Sequence, residues 1–109
     1  MIRYSADARI DILDISQYTV DRWGETQANL YLAEFSQCFE RVEKMPGLGR
    51  ACFDIHPGLH RIEQGQHVIF YLPVPGGIFI CRVLHRRMLV DYEDFLPSLR
   101  SEILTVSHS

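Results

Sequence analysis

Two amphipathic helical runs separated only by Gly24 constrain the fold of this chain more than any other feature of its sequence. In each run, mostly apolar side chains recur every three or four residues, which is the spacing along one helix face. The first run contains Ala8, Ile12, Ile15, Thr19 and Trp23, and the second contains Ala28, Tyr31, Leu32, Phe35, Phe39 and Val42. Ser5 precedes the first run as an N-cap, and Pro46 ends the second, because helices usually stop before a proline. Helices joined by so short a link must fold back as an αα-hairpin.

Three strand-like runs follow the helices and are separated by short turn sequences. The runs are Leu59–Glu63, His67–Leu72 and Ile78–His85. The turns between them, at residues 64–66 and 73–77, predict a β-meander. Residues 46–58 are predicted to form a surface loop, residues 2–4 an edge strand and residues 91–104 a C-terminal helix. The order β-α-α-β-β-β-α predicts an α+β fold in which the helical hairpin packs on a small antiparallel sheet.

The first of these turns decides which side chains share a face of the sheet, because strand side chains alternate. A three-residue loop places Glu63 opposite His67. One face is then apolar and is predicted to pack on the helices: His60, Ile62, Val68, Phe70 and Leu72. Phe79, Cys81 and Val83 are assigned to this same face. The opposite assignment would place Arg82 under the helices and bury it without a partner. The opposite face is predicted to be an open docking groove that contains Arg61, Glu63, His67, Ile69, Tyr71, Ile78, Ile80, Arg82 and Leu84.

The net charge of −3 at pH 7 is unevenly distributed along the 109 residues. Residues 50–90 contain five arginines and two acids, whereas the segments on both sides are acidic. An anionic partner would therefore dock on the middle of the chain. The length predicts a single domain over residues 1–109, and neither a spanning apolar run nor a signal peptide is evident, which predicts a cytoplasmic protein. Three widely spaced cysteines, and a His56–His60 pair that flanks a Pro-Gly turn, predict neither a disulfide framework nor a metal or cofactor site.

Arginine and histidine side chains of the strands form a candidate set for RNA cleavage: Arg61, His67, Arg82 and His85. Arginines that neutralise a phosphate, with a histidine as proton shuttle, are the minimal requirement of a metal-free ribonuclease. The alternative is that Arg61 and Arg82 pair with Glu63 or Asp54 across the sheet. The sequence alone leaves both hypotheses open.

An ordered set of motifs resembles the ParE toxins of the RelE/ParE superfamily, which belong to bacterial type II toxin–antitoxin modules. The most specific blocks are Gly65-x-His67-Val-Ile-Phe-Tyr71 and Arg82-Val-Leu-His85. The others are Ser5-Ala-Asp-Ala, Tyr18-Thr19, Arg22-Trp23-Gly24, Pro46-Gly-Leu-Gly-Arg50, Asp54-Ile55 and Pro57-Gly58-Leu59. The resemblance covers residues 3–96, and residues 97–109 form a tail that departs from the compact family ending. It implies the RelE/ParE fold, in agreement with the predicted element order.

The resemblance implies a toxin that a ParD-like antitoxin neutralises through an amphipathic C-terminal segment, in a heterotetramer or larger assembly. It also implies that the free toxin inhibits DNA gyrase without being an enzyme or needing a cofactor, and that the module serves plasmid stabilisation. Neither membrane association nor direct DNA binding by the toxin alone is implied. The alternative is the activity of RelE-type relatives, ribosome-dependent mRNA cleavage, with Arg61, Arg82 and His85 as catalytic residues. That family's pattern of basic residues is incomplete here, since Lys44 is the only lysine.

Two binding surfaces are expected. The antitoxin is expected on the open face of the sheet, at Arg61, His67, Ile69, Tyr71, Ile78, Ile80, Arg82 and Leu84. Apolar residues off the main stripe of the hairpin offer it a second patch: Ile10, Leu13 and Val20. For ParE-like toxins the C-terminal region is expected to contact gyrase, which points to Arg86, Arg87, Met88, Tyr92 and Phe95.

Overall fold

The computed structural model describes residues 1–89, in which two helices pack on one five-stranded sheet. Helix α1 spans Ala6–Trp23 and helix α2 spans Glu25–Lys44, which confirms the predicted αα-hairpin. Ser5 caps α1, since its Oγ accepts a hydrogen bond from the backbone N–H of Ala8 at 2.9 Å. Gly24 links the helices with a φ of 90°, a conformation that residues with a Cβ rarely adopt. Within residues 1–89, neither helix is long and apolar enough to cross a membrane.

The sheet is mixed, with the strand order β1-β5-β4-β3-β2. Its strands are β1 (Ile2–Tyr4), β2 (Arg50–Ala51), β3 (His60–Gln64), β4 (His67–Val74) and β5 (Gly77–His85). The predicted edge strand β1 is confirmed, but it runs parallel to β5, so the sheet is not wholly antiparallel. The short strand β2 lies within the predicted loop and follows a 3-10 turn at Pro46–Leu48. The predicted helix at residues 91–104 lies outside the described residues.

Both faces of the sheet are covered by the chain itself. The face under the helices belongs to a core of Ala8, Phe35, Cys38, Phe39, Val42, Ile69, Tyr71, Ile78, Ile80 and Val83. The other face belongs to a second core of Cys52, Leu59, Val68, Phe70, Leu72, Phe79, Cys81 and Leu84, against which Ile55, Val74 and Leu89 pack. None of the core side chains is more than 8% exposed. The sheet is therefore the middle layer between two apolar cores.

The predicted assignment of β4 to the two faces is wrong. The β3–β4 turn has two residues rather than three, so Gln64 and not Glu63 pairs with His67. A change of register by one residue moves every side chain of a strand to the other face. Three residues predicted under the helices lie in the second core instead: Val68, Phe70 and Leu72. Two residues predicted on the open face lie under the helices: Ile69 and Tyr71.

A β-bulge makes the predicted alternation along β5 wrong as well. Phe70 pairs with Arg82 while the next residue, Tyr71, pairs with Ile80, so β5 has one extra residue at this point. The helix side receives Ile78, Ile80 and Val83, and the second core receives Phe79, Cys81 and Leu84. Of the alternate residues predicted to face the helices, only Val83 does so. The predicted open groove across β4 and β5 does not exist in residues 1–89, because both faces of these strands are buried.

Arg82 forms a nearly buried ion pair with Asp11 of α1. Its Nε and Nη2 donate to Asp11 Oδ2 and Oδ1 at 2.8 and 2.9 Å, and both side chains are 12% exposed. Asp11 Oδ2 also accepts a hydrogen bond from the backbone N–H of Val83 at 3.0 Å. The Ser5 hydroxyl donates to the Cys81 carbonyl oxygen at 2.7 Å. Beyond the short stretch of β5 that pairs with β1, side chains of the α1 segment thus provide hydrogen-bond partners for the backbone groups of this strand.

Candidate functional site

A cleft of about 850 Å³ lies between the helical hairpin and the adjoining ends of β4 and β5. On the helices it is lined by Asp11, Asp14, Ile15, Tyr18, Thr19, Arg22, Trp23, Gln27 and Tyr31. Beyond the helices it is lined by Gln66, His67, Val83, His85, Arg87 and Met88. The hairpin positions one side of this cleft, and the β3–β4 turn and the end of β5 position the other.

Two aromatic side chains of α1 line the cleft while remaining largely in solvent. Tyr18 is 61% exposed and Trp23 is 66% exposed. The guanidinium of Arg22 lies over both rings, 5.9 Å from the centroid of Tyr18 and 6.0 Å from that of Trp23, which is within cation–π range. Large aromatic groups with a polar handle and much apolar area are the residue types that dominate protein interfaces. The cleft is therefore suited to binding another polypeptide.

Tyr31, His67 and His85 form a hydrogen-bonded and ring-contact group in the cleft. The Tyr31 oxygen accepts from the backbone N–H of Gln66 at 3.1 Å and lies 2.6 Å from His67 Nδ1. The direction of this second hydrogen bond follows the tautomer of His67: the Tyr31 hydroxyl donates when Nδ1 carries no proton and accepts when it does. The rings of His67 and His85 meet edge to face with centroids 5.2 Å apart, and His85 Nδ1 accepts from the backbone N–H of Arg87 at 3.1 Å.

The burial of His67 and its contact with His85 favour the neutral imidazole. The pKa of His67 is lowered from 6.5 to about 4, mainly by burial and further by the neighbouring His85, while Asp11 acts in the opposite direction. Between these two values the unfolded chain binds a proton at this residue while the folded protein does not. The free energy of unfolding must therefore fall as the pH is lowered through this window.

We expect the protein to lose roughly 1–3 kcal/mol of its unfolding free energy through His67 alone as the pH falls from about 6.5 to about 4. His67→Gln keeps an acceptor for the Tyr31 hydroxyl but cannot bind the proton, so it should flatten this part of the pH dependence. Urea unfolding at a series of pH values measures the effect. Gln37→Ala, an exposed substitution on α2 outside the cleft, introduces and removes no titrating group; it is the control and should keep the wild-type slope. An unchanged slope in His67→Gln would contradict the assignment.

The structure does not bring the predicted antitoxin-binding residues onto one open surface. Five of the eight are at most 1% exposed: Ile69, Tyr71, Ile78, Ile80 and Leu84. Arg82 is held by Asp11, and Arg61 lies on the other side of the sheet with its Nη2 3.5 Å from Glu63 Oε1. Only His67 of this set lines the cleft. The premise of an open sheet face is wrong because the two cores cover both faces.

The structure also separates the residues of the predicted ribonuclease set. His67 and His85 share the cleft, but both guanidinium groups face carboxylates: Arg82 contacts Asp11 and Arg61 contacts Glu63. A phosphate bound by Arg82 would have to displace a bidentate carboxylate. Among residues 1–89, no group of three His, Cys, Asp or Glu side chains could hold a metal ion.

The predicted gyrase-contact residues directly follow β5 where the structure describes them. Arg86 and Arg87 are exposed and Met88 is 42% exposed, whereas Tyr92 and Phe95 lie outside the described residues. Arg87 and Met88 line the cleft. The described part of this segment is therefore accessible in the protein alone.

The sequence predicts only some of the apolar side chains of α1 that are exposed. Of the three residues predicted to form a second patch, Ile10 and Leu13 are exposed, whereas Val20 is half-buried. Trp23 continues the apolar stripe of α1, yet it lines the cleft and is 66% exposed. Its place as the last residue before Gly24, at the very end of the helix, is the one signal that could have separated it from the core residues.

The family described as the ParE toxin of the type II toxin–antitoxin system, parDE, matches residues 2–90. The chain belongs to the ParE toxin family. It is 41% identical over 88 residues to toxin ParE1 of Mycobacterium tuberculosis strain H37Rv, covering 80% of this chain and 90% of that toxin. It is 37% identical over 86 residues to toxin ParE1 of Caulobacter vibrioides, covering 79% and 88% respectively.

A solved structure shares the fold of this ParE-family chain. A chain of the chromosomal ParDE toxin–antitoxin system from P. aeruginosa superposes with a TM-score of 0.63 at 17% identity, covering 77% of this chain and 92% of that one. The predicted α+β ParE-like fold is confirmed. The chain is accordingly a ParE toxin of a type II toxin–antitoxin system, whose partner is an antitoxin.

Proposed function

We propose that a ParD-like antitoxin neutralises this toxin by binding in the cleft, and that the free toxin inhibits DNA gyrase in the cytoplasm. The observation that carries the proposal is an exposed aromatic cleft, bordered by Tyr18 and Trp23, on a chain of the ParE family. A monomeric protein rarely leaves large aromatic side chains in solvent beside a cavity unless a partner covers them. The cleft replaces the sheet face as the expected antitoxin site.

An amphipathic helix is the occupant that fits the cleft. Its apolar anchors would pack between the exposed rings of Tyr18 and Trp23, as a helix does in a hydrophobic groove. The cleft also offers charged groups of both signs for its polar side: Asp14 and Arg22 on α1, and Arg87 after β5. Since ParD-like antitoxins dimerise, we infer an assembly of at least two toxins and two antitoxins.

The position of the predicted gyrase contacts supports neutralisation by competition. Arg87 and Met88 belong both to the segment expected to contact gyrase and to the lining of the cleft. An antitoxin in the cleft would cover these two side chains. Antitoxin and gyrase would then exclude each other without any conformational change in the toxin.

The ion pairs of the arginines support a binding protein rather than an enzyme. Cleavage of RNA without a metal needs cations that can accept the extra charge of the transition state. Arg82 is committed to Asp11, and Arg61 lies near Glu63. The RelE-type ribonuclease therefore stays the second candidate, with His67 and His85 in the cleft as the observation in its favour.

Two assays with the purified toxin test the proposal: gyrase supercoiling, and mRNA cleavage on translating ribosomes. We expect inhibition of supercoiling, relieved when the product of the adjacent open reading frame is added, and no mRNA cleavage. Cleavage that disappears in Arg61→Ala or His85→Ala would establish the ribonuclease instead. Failure of the adjacent gene product to bind the toxin would contradict the antitoxin part of the proposal.

A further inference from the structure

Three arginines converge on one carboxylate on the side of the sheet away from the helices. Arg50 Nη2 and Arg61 Nη2 lie 3.1 and 3.5 Å from Glu63 Oε1, and Arg86 Nη2 lies 3.9 Å from Glu63 Oε2. Arg50 and Arg61 are direct cross-strand partners of β2 and β3, and the backbone N–H of Arg86 donates to the Gln66 carbonyl oxygen at 2.9 Å. We call these three arginines and Glu63 the arginine cluster.

The arginine cluster has more positive charge than its own carboxylate neutralises. Three guanidinium groups share one carboxylate, and the side chains of Arg50 and Arg86 are 73% and 53% exposed. The Arg61 Nε–H is buried and has no hydrogen-bond acceptor within the described part of the chain. Buried donors without acceptors are costly. One more oxyanion could reach the exposed guanidinium groups of Arg50 and Arg86, which share Glu63 with Arg61.

A cavity beside the cluster offers space for the group that would bring this oxyanion. It has a volume of about 550 Å³, and both Arg50 and Arg61 line it together with apolar Ile55, Phe70 and Leu89. Asp54 lines the same cavity and provides negative charge there. A ligand must therefore approach from the guanidinium side and place its apolar part against the second core.

We propose that the arginine cluster is a second docking site, which binds an acidic side chain of the antitoxin, while an apolar neighbour of that side chain enters the adjacent cavity. This inference rests on the proposed function and adds a polar site to the apolar cleft. Glu63 shows the geometry that the site accepts, since its two oxygens are already shared among three guanidinium groups. The partner's carboxylate would join or replace it as the acceptor.

The charge of the chain favours an acidic polypeptide over nucleic acid. Nucleic-acid binding depends on many contacts between phosphates and lysine or arginine side chains. A protein that offers few of these side chains therefore binds nucleic acid weakly. This chain has a net charge of −3, and its basic residues outside residues 50–90 are outnumbered by acids. An isolated group of three arginines suits a few carboxylates within a larger protein interface, where apolar contacts supply most of the affinity.

Titration of the antitoxin from the adjacent open reading frame against toxin variants tests the inference, with calorimetry at low and at high salt. Arg50→Gln should weaken binding about fivefold, and Glu63→Gln should strengthen it about threefold because it removes the internal competitor. The gain and the loss should both shrink at high salt. Arg3→Gln, on the opposite edge strand, and Glu34→Gln, an exposed acid of α2, are the matched controls and should bind within about twofold of wild type.

The two substitutions separate the possible results. Unchanged binding by Arg50→Gln, or binding by Glu63→Gln that is unchanged or weaker, would overturn the inference while leaving the cleft as the antitoxin site. Binding of a short DNA duplex by the wild type that disappears in Arg50→Gln would also overturn it, by making the cluster a nucleic-acid site. An antitoxin that fails to bind the wild type would instead overturn the proposed function, and this inference with it.

Discussion

Asp11→Ala is expected to lower the unfolding free energy by about 3–5 kcal/mol, the loss that follows when one partner of a buried ion pair is removed. The Asp11 carboxylate accepts three hydrogen bonds, two from the Arg82 guanidinium at 2.8 and 2.9 Å and one from the Val83 backbone N–H at 3.0 Å. Alanine would remove these three hydrogen bonds and the negative charge beside the Arg82 guanidinium, at a site that is 12% exposed. Removing one partner of a buried ion pair costs far more than the pair itself contributes.

Urea unfolding of three variants measures this effect and its origin. Asp14→Ala removes an exposed carboxylate of the same helix and should cost less than about 0.5 kcal/mol. The double variant Asp11→Ala/Arg82→Ala should lose less stability than the sum of its single variants, because each single variant already removes the same Asp11–Arg82 interaction. A loss below about 1 kcal/mol in Asp11→Ala would contradict this prediction, because it would mean that the pair behaves as an exposed salt bridge.

The same ion pair shows why the sheet faces could not be predicted from the sequence. The predicted faces depend on the expectation that burial would separate Arg82 from every carboxylate. Its partner Asp11 is 71 residues away along the chain and lies on the first helix. No local pattern connects the two residues. Only the packing of α1 along β5 brings them together.

The helices were predictable because local signals define them. Ser5 provides the cap, Gly24 the link and Pro46 the end, and each acts within one turn of its own position. Strand faces depend instead on register, which one residue of turn length decides. The two-residue turn before His67 and the bulge opposite Phe70 and Tyr71 each shift the alternation by one position. Neither feature has a sequence signature strong enough to choose it over the alternative.

The candidate site was only partly predictable, because periodicity identifies a helix face and not what that face contacts. Trp23 continues the apolar stripe of α1, but at the end of the helix that stripe faces the cleft and no longer the core. Whether an apolar residue of a helix is buried in the core or exposed at an interface depends on how far the strand or helix packed against it extends. That extent is a tertiary property.

Trp23→Ala is expected to weaken binding of the antitoxin by about 30-fold or more, the loss of about 2 kcal/mol that marks a central interface residue. Trp23 is 66% exposed in the toxin alone, so most of its area is still available for burial by a partner. For the same reason its removal should change the unfolding free energy by less than about 1 kcal/mol. Calorimetric titration measures the first quantity and urea unfolding the second.

Leu30→Ala is the matched control, since Leu30 is 57% exposed on the neighbouring helix and does not line the cleft. It should bind the antitoxin within about twofold of wild type, as expected of an exposed residue outside an interface. In cells, the Trp23→Ala toxin should continue to arrest growth when the antitoxin is co-expressed, because it keeps its fold and its gyrase contacts but loses its inhibitor. Wild-type affinity in Trp23→Ala, or an equal loss in both variants, would show that the antitoxin binds elsewhere. The two variants can be compared because both residues are apolar, helical and largely exposed, and only Trp23 borders the cleft.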